Sequence, residues 1–177
     1  DVTVRVTSSG NWTASLDNKD KDFVSVSPTS GTGDKSTPKA IKLTIKENFT
    51  TEPRKAVMTV KSDQYNSSSA SHLIKTMEIE QEAYEYTVSV SNMEFEAAAG
   101  SKTVSGLKCS GNLTVSSSES WVEPEVSAGV LTVKVKENTG KSSRTATVTI
   151  QSEHVTENSN LKTTFTVTQK AAESDKK

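Results

Sequence analysis

The sequence predicts an all-β chain built as two tandem antiparallel β-sandwiches, and three observations carry that prediction. Lys46-Glu47-Asn48, followed by Arg54, returns as Lys136-Glu137-Asn138 followed by Arg144, both at an offset of 90 residues. After each arginine comes a run of alternating character, Ala56-Val57-Met58-Thr59-Val60 in one copy and Ala146-Thr147-Val148-Thr149-Ile150 in the other, so a strand is repeated along with the polar corner. The remaining segments are short, turn-separated and rich in Val and Thr, with no run of helical period.

Composition agrees. The 177 residues divide at this period into two units of roughly 80 to 90 residues, the small end for a self-sufficient core. Hydrophobic residues are 32% and aromatics 5%, while Ser and Thr together number 51, a balance that suits strands wetted on one face. Net charge is −1, and the halves are balanced too: residues 1 to 84 hold 11 basic and 11 acidic side chains, the rest 10 and 11. This charge pattern offers no basic face to nucleic acid or to an anionic membrane. The lone Cys109 cannot form an internal disulfide, and its repeat counterpart is Ser8, so a small, inert, partly buried side chain is expected. No apolar run approaches the ~20 residues of a membrane span, and the opening Asp1-Val2-Thr3-Val4 is no signal peptide, so the chain reads as an excised, mature piece.

In the first copy, Val2 to Val6 alternates, as do Trp12, Ala14 and Leu16 after a Ser-Ser-Gly-Asn turn. A charged turn from Lys19 to Asp22 leads to a short strand at Phe23, Val24 and Val26. Pro28 ends it, and Thr29 to Pro38 reads as a Ser/Thr/Gly/Pro loop. Ile41, Leu43 and Ile45 share one face of the next strand, which stops at Glu47-Asn48. Arg54 to Val60 follows, then a polar loop from Gln64 to Ser71 and a closing strand to Gln81.

Glu82 to Tyr86 joins the copies without Gly or Pro, which predicts a restricted relative orientation, with Tyr84 and Tyr86 packing at the junction and keeping their hydroxyls wet. The second copy adds Tyr86 to Ser91 and Met93 to Ala97 ahead of its Ser110-Gly111-Asn112 turn. The first copy has only eight residues ahead of Ser9-Gly10-Asn11, so it either lost an opening strand or was built without one. Leu113 to Ser116, Trp121-Val122, Leu131 to Val135, Arg144 to Ile150 and Leu161 to Thr168 complete the second copy. The expected units are 1–83 and 84–170, with 171–177 a disordered tail or the start of a linker. Seven or so short strands per unit indicate sandwiches of the immunoglobulin-like kind.

An aromatic after Ser-Gly-Asn, a second aromatic followed by Val and a Pro-x-Ser-Gly-x-Gly loop, Glu-Asn, an arginine opening a Thr/Val strand, and a closing Val-Thr-Gln occur in order. Together they resemble the BACON domain, an immunoglobulin-like module of surface and secreted proteins of Bacteroidetes. The matching residues are Trp12, Phe23-Val24, Pro28 to Gly33, Glu47-Asn48, Arg54 and Gln81 in copy one, and Trp121-Val122, Glu137-Asn138, Arg144 to Thr149 and Thr166 to Gln169 in copy two. Departures include Phe23 where the family has Trp, Leu113 in place of Trp12, and the shortened loop Pro124 to Gly129. The resemblance implies a non-catalytic extracellular or cell-surface module, on a bacterial lipoprotein or a secreted protein. It would bind glycan or mucin, or serve as a spacer for neighbouring domains of the same polypeptide.

Sugar recognition combines an aromatic face against sugar C–H groups with planar amides for the hydroxyls. Trp12 and Trp121 lie in alternating strands and are expected in the cores. Tyr65, flanked by Gln64 and Asn66 in a polar loop, is the exposed candidate. Phe49 follows Glu47-Asn48 where copy two has Thr139, and is either a contact or a local plug, with the plug favoured. The repeated Glu-Asn and arginine suit a hairpin corner that fixes register, Asn being at home in turns and the arginine reaching a carbonyl or carboxylate across the loop. Asp17, Asn18, Asp20 and Asp22 lack the glycine and closing glutamate of a calcium loop and read as a solvated turn. His72 and His154 are isolated from any nucleophile or paired acid, so neither an enzyme nor a metal or cofactor site is expected.

Overall fold

A computed structural model describes residues 1–17, 22–65 and 73–173, and divides the chain into two compact units, Asp1–Ala83 and Tyr84–Lys177. Unit 1 runs β1 (Val2–Ser8), β2 (Trp12–Leu16), β3 (Val24–Ser27), β4 (Ser30–Gly31), β5 (Asp34–Ile45), β6 (Arg54–Ser62) and β7 (Ile74–Gln81). These form two sheets, ordered β1-β5-β3 and β4-β2-β6-β7. Period-2 alternation aims the apolar set of each sheet at the other: Trp12, Ala14, Ala56, Met58 and Ile79 from one meet Val24, Ile41 and Leu43 from the other in a single buried cluster. The unit is an all-β sandwich.

Unit 2 runs β8 (Tyr86–Thr87), β9 (Met93–Phe95), β10 (Gly100–Ser105), β11 (Lys108–Cys109), β12 (Leu113–Ser117), β13 (Val122–Ser127), β14 (Val130–Val135), β15 (Arg144–Ser152) and β16 (Lys162–Gln169). Its sheets are ordered β10-β14-β13 and β12-β15-β16-β9, with β8 and β11 paired beside them. Register aligns the units residue by residue. Trp12 opposes Ser62 as Leu113 opposes Ser152, and Val4 opposes Ile41 as Val104 opposes Leu131. The structural equivalents are therefore β1 and β10, β2 and β12, β3 and β13, β5 and β14, β6 and β15, β7 and β16.

The structure departs from the sequence reading in four places. Thr29 to Pro38 is not a plain loop: β4 adds two residues to β2, and β5 already begins at Asp34. Pro38 is accommodated because the β1/β5 pairing shifts register between Val6 and Ser8, where a missing N–H does not interrupt the ladder. The sandwiches are not wholly antiparallel, since β9 pairs with β16 in parallel, Met93 opposite Val167 and Phe95 opposite Gln169. The Glu-Asn corner is no hairpin either. It carries the chain from β5 in one sheet to β6 in the other, so it joins the layers. Finally, Tyr84 and Tyr86 both bond within unit 2. The Tyr84 hydroxyl lies 2.8 Å from Ser152 Oγ rather than in water, and that of Tyr86 donates to the Ile150 carbonyl at 3.1 Å.

Among the described residues no helix is long and apolar enough to cross a membrane.

Candidate functional site

The repeated corner resolves into one construction used twice. Arg54 Nη2 donates to the carbonyls of Lys46 (2.7 Å) and Glu47 (2.8 Å), and its Nε to Gln81 Oε1 (2.9 Å). Arg144 repeats this on Lys136 (2.7 Å), Glu137 (3.0 Å) and Gln169 (3.0 Å). Each guanidinium also lies over a ring, Phe23 at 4.4 Å and Trp121 at 4.3 Å from the centroid. Beside it, the buried Asn48 amide donates to the carbonyls of Glu52 and Glu82, and its oxygen accepts from the Thr50 backbone. Asn138 does the same with Ser142, Lys170 and Gly140. The bonded arms of these side chains reach backbone carbonyls and a glutamine oxygen between the layers, so the feature is a structural clamp.

Trp12, Phe23, Phe95, Phe165 and Tyr84 are buried. Trp12 is enclosed because the β4 segment crosses it: a Cβ added at Gly31 would stand 2.4 Å from Trp12 Cζ2, so only glycine fits there. Trp121 is half-buried, its outer side covered by the Arg144 guanidinium.

The residues put forward for sugar contact do not form one site. Phe49 is half-buried at the β5–β6 corner, whereas Gln64 and Tyr65 follow Ser62 at the far end of β6. The intervening strand spans roughly 30 Å, so the two places would be engaged separately. Asn66 lies outside the described residues, as do Asn18, Asp20 and His72. At the β6 end, Gln64 is exposed and Tyr65 half-buried, its backbone N–H donating to the Ser62 carbonyl at 3.0 Å. Lys61 Nζ sits 5.6 Å from the Tyr65 ring centroid, a cation beside the ring that the sequence reading did not pick out, although the four-residue spacing contains it. Ring and ammonium thus stand together at this end of β6, with the exposed Gln64 adjacent in the chain.

Among the described residues no three of His, Cys, Asp and Glu converge as metal ligands. His154 packs edge-on to Tyr84 at 5.8 Å, with carboxylates of Glu153 and Glu157 each 3.9 Å away. Burial pushes the Tyr84 phenol above its ordinary value, so it serves as a neutral hydrogen-bonding group.

Unit 1 also carries a groove of about 320 Å³ between β1 and β7, lined by Val4, Val6, Trp12, Val60, Leu73 and Met77 among others. Its apolar walls come from β1, β2 and β6 and from Leu73 and Met77.

Residues 6–82 and 111–170 match the sequence model of the BACON family, described as "Putative binding domain, N-terminal". No curated protein matches the chain. Among solved structures it is similar to a Bacteroides ovatus GH5 xyloglucanase in complex with a XXXG heptasaccharide, at 23% identity and a TM-score of 0.37 over 51% of this chain and 19% of that one. It is also similar to a Bacteroides thetaiotaomicron protein whose structure is an NMR one, at 18% identity and a TM-score of 0.37, covering 51% of this chain and 89% of that one.

Proposed function

Since the chain belongs to the BACON family across both its units, we propose that it is a non-catalytic carbohydrate-binding module, displayed on a bacterial surface lipoprotein or secreted, that attaches to glycan or mucin. The observation that carries this is the patch at the end of β6, where Tyr65 emerges half-buried from an irregular segment beside exposed Gln64 and the Lys61 ammonium. A ring face can stack on sugar C–H groups while the amide bonds hydroxyls. The ammonium would favour sugars carrying a carboxylate or sulfate. Phe49 is assigned to the local plug, because it adjoins the buried Asn48 clamp rather than this patch.

Binding of the 177-residue chain to an array of neutral and acidic glycans tests the proposal. Tyr65→Ala should lower binding by about tenfold or more, a loss of at least ~1.4 kcal/mol, while Phe49→Thr, which installs the residue found in unit 2, should leave it unchanged. Absence of binding to any glycan would leave the second reading, a spacer that positions neighbouring domains. That reading has its own support in the burial of five of the aromatics in the two cores.

A further inference from the structure

The groove of unit 1 coincides with a place that unit 2 fills with its own chain. Three equivalences locate it. Tyr86 hydroxyl donates to the Ile150 carbonyl, and the equivalent of Ile150 is Val60, which lines the groove. Thr163 Oγ1 donates to the Val88 carbonyl at 3.1 Å, and the equivalent of Thr163 is Lys75, which also lines it. Cys109 pairs with Tyr86 in the β8/β11 ladder, and Ser8, its counterpart, forms a third wall. Farther along, β9 covers the free side of β16, whereas its equivalent β7 ends its sheet among the described residues.

Burial shows the consequence. Ile150 and Leu161 are 0% exposed and Phe165 is 4% exposed; Ile150 and Phe165 share one buried cluster with Met93 and Phe95, against which Val88 and Val90 pack. Their equivalents Val60, Leu73 and Met77 are only partly buried. Unit 1 thus presents an apolar trough flanked by a strand edge that has no partner strand among the described residues, the combination that accepts an added strand.

We propose that this groove is an acceptor for an extended strand of the same polypeptide that reaches β1 from its N-terminal side. The strand runs parallel to β7 and carries apolar side chains in the pattern of Tyr86, Val88, Val90, Met93 and Phe95. Delivery from that side follows from unit 2, where only residues 96–99 separate β9 from β10. Parallel pairing to β7 would hydrogen-bond the edge around Ile79 and Gln81, as Met93 and Phe95 do opposite Val167 and Gln169. The groove is distinct from the Tyr65 patch, and strand acceptance does not depend on glycan binding.

The test fuses a second copy of residues 84–100 directly ahead of Asp1. The offset of 100 residues between Val4 and its equivalent Val104 makes Gly100 the natural join. A control fusion has the same composition with its apolar residues moved by one position, which turns them away from the groove. Hydrogen exchange is read at the β7 amides, with the β16 amides as internal reference. The first fusion should slow β7 exchange by tenfold or more and leave β16 unchanged, and the control should not slow it. Equal slowing by both fusions, or by neither, would overturn the proposal. Equal protection by a free peptide of the 84–100 sequence at equimolar concentration would overturn the assignment to the same polypeptide. The exposed Lys75→Thr variant, which supplies the hydroxyl that Thr163 uses, should increase the protection given by the fused strand.

Discussion

The two units share a clamp and differ in what closes their ends. Unit 1 folds β4 over Trp12 and leaves the side of β7 open. Unit 2 covers β16 with β9, replaces Trp12 by Leu113, and turns from β13 to β14 through Ala128 and Gly129 alone, with φ of 47° and 73°. Two residues at positive φ make the tight hairpin that matches strand twist. That turn has no residues left to lie over β12, and a groove of about 460 Å³ opens beside Leu113 and Cys109. A bulky residue on β2 and a long β3–β5 connection therefore go together, as do a small residue and a short turn. The difference teaches that the repeated positions hold the layers at a fixed geometry, while the unrepeated ones decide which surface is sealed.

The largest effect should come from separating these paired features. Trp12→Ala removes the side chain that β4 covers, and a fully buried tryptophan costs about 3–5 kcal/mol when truncated. Leu113→Ala, at the equivalent but half-buried position, should cost roughly 1–2 kcal/mol, well under the range for a core leucine. Denaturant unfolding, resolved by hydrogen exchange in β6 and β15, reads the two units separately. Equal losses would mean that the β4 cover contributes nothing.

The clamps should behave alike, and a smaller effect is expected from each. Arg54→Ala or Arg144→Ala abandons two carbonyls, a glutamine oxygen and a ring face. With charged hydrogen bonds worth about 1.5–3 kcal/mol and much of the group accessible to water, a loss of roughly 2–3 kcal/mol per unit is expected. Arg→Lys at either position should recover less than half of this, because an ammonium cannot fork between two carbonyls and stack at once. Trp121 emission reports the second clamp directly, since Arg144 covers its ring. A marked inequality between the two arginines would break the equivalence that their geometry implies.

The clamp was legible because repetition at a constant offset separates a framework from its decoration, and Arg54 and Arg144 sit in register with Gln81 and Gln169 in both copies. Its direction between layers was not legible, for the same residues would suit a hairpin. The parallel pairing of Met93–Phe95 left no trace because a three-residue strand alternates identically in either direction. Pro38 misled for a local reason: proline reads as a strand breaker unless a bulge receives it, and the bulge is set by β1, some 30 residues earlier in the chain. The Tyr84 hydroxyl was expected in water because its partner Ser152 is 68 residues away. Tyr65 and Gln64 were put forward from residue type alone, and the separation of Phe49 from them appears only once β6 is known to lie between.

The smallest effect is confined to unit 1 and vanishes in acid. Asp34, where β5 begins, accepts hydrogen bonds from the Ser36 hydroxyl at 2.7 Å and from the backbone N–H groups of Ser36 and Thr37 at 2.9 and 3.0 Å. Those donors, the Ser36 hydroxyl first, hold its carboxyl at about 2, below the ordinary 3.8. A depressed folded-state value means that the unfolded chain takes up the proton first as pH falls. The stabilisation from Asp34 is therefore fully present above about pH 4 and lost as pH drops toward 2. Asp34→Asn should weaken unit 1 slightly at neutral pH, and the gap between parent and variant should close across that window. Unit 2, which turns through Ala128 and Gly129 without a carboxylate, should show no such gap in the same titration. A gap that persists unchanged at pH 2 would show that Asp34 holds the start of β5 through shape rather than charge, and would remove one of the differences between the two β3–β5 and β13–β14 connections.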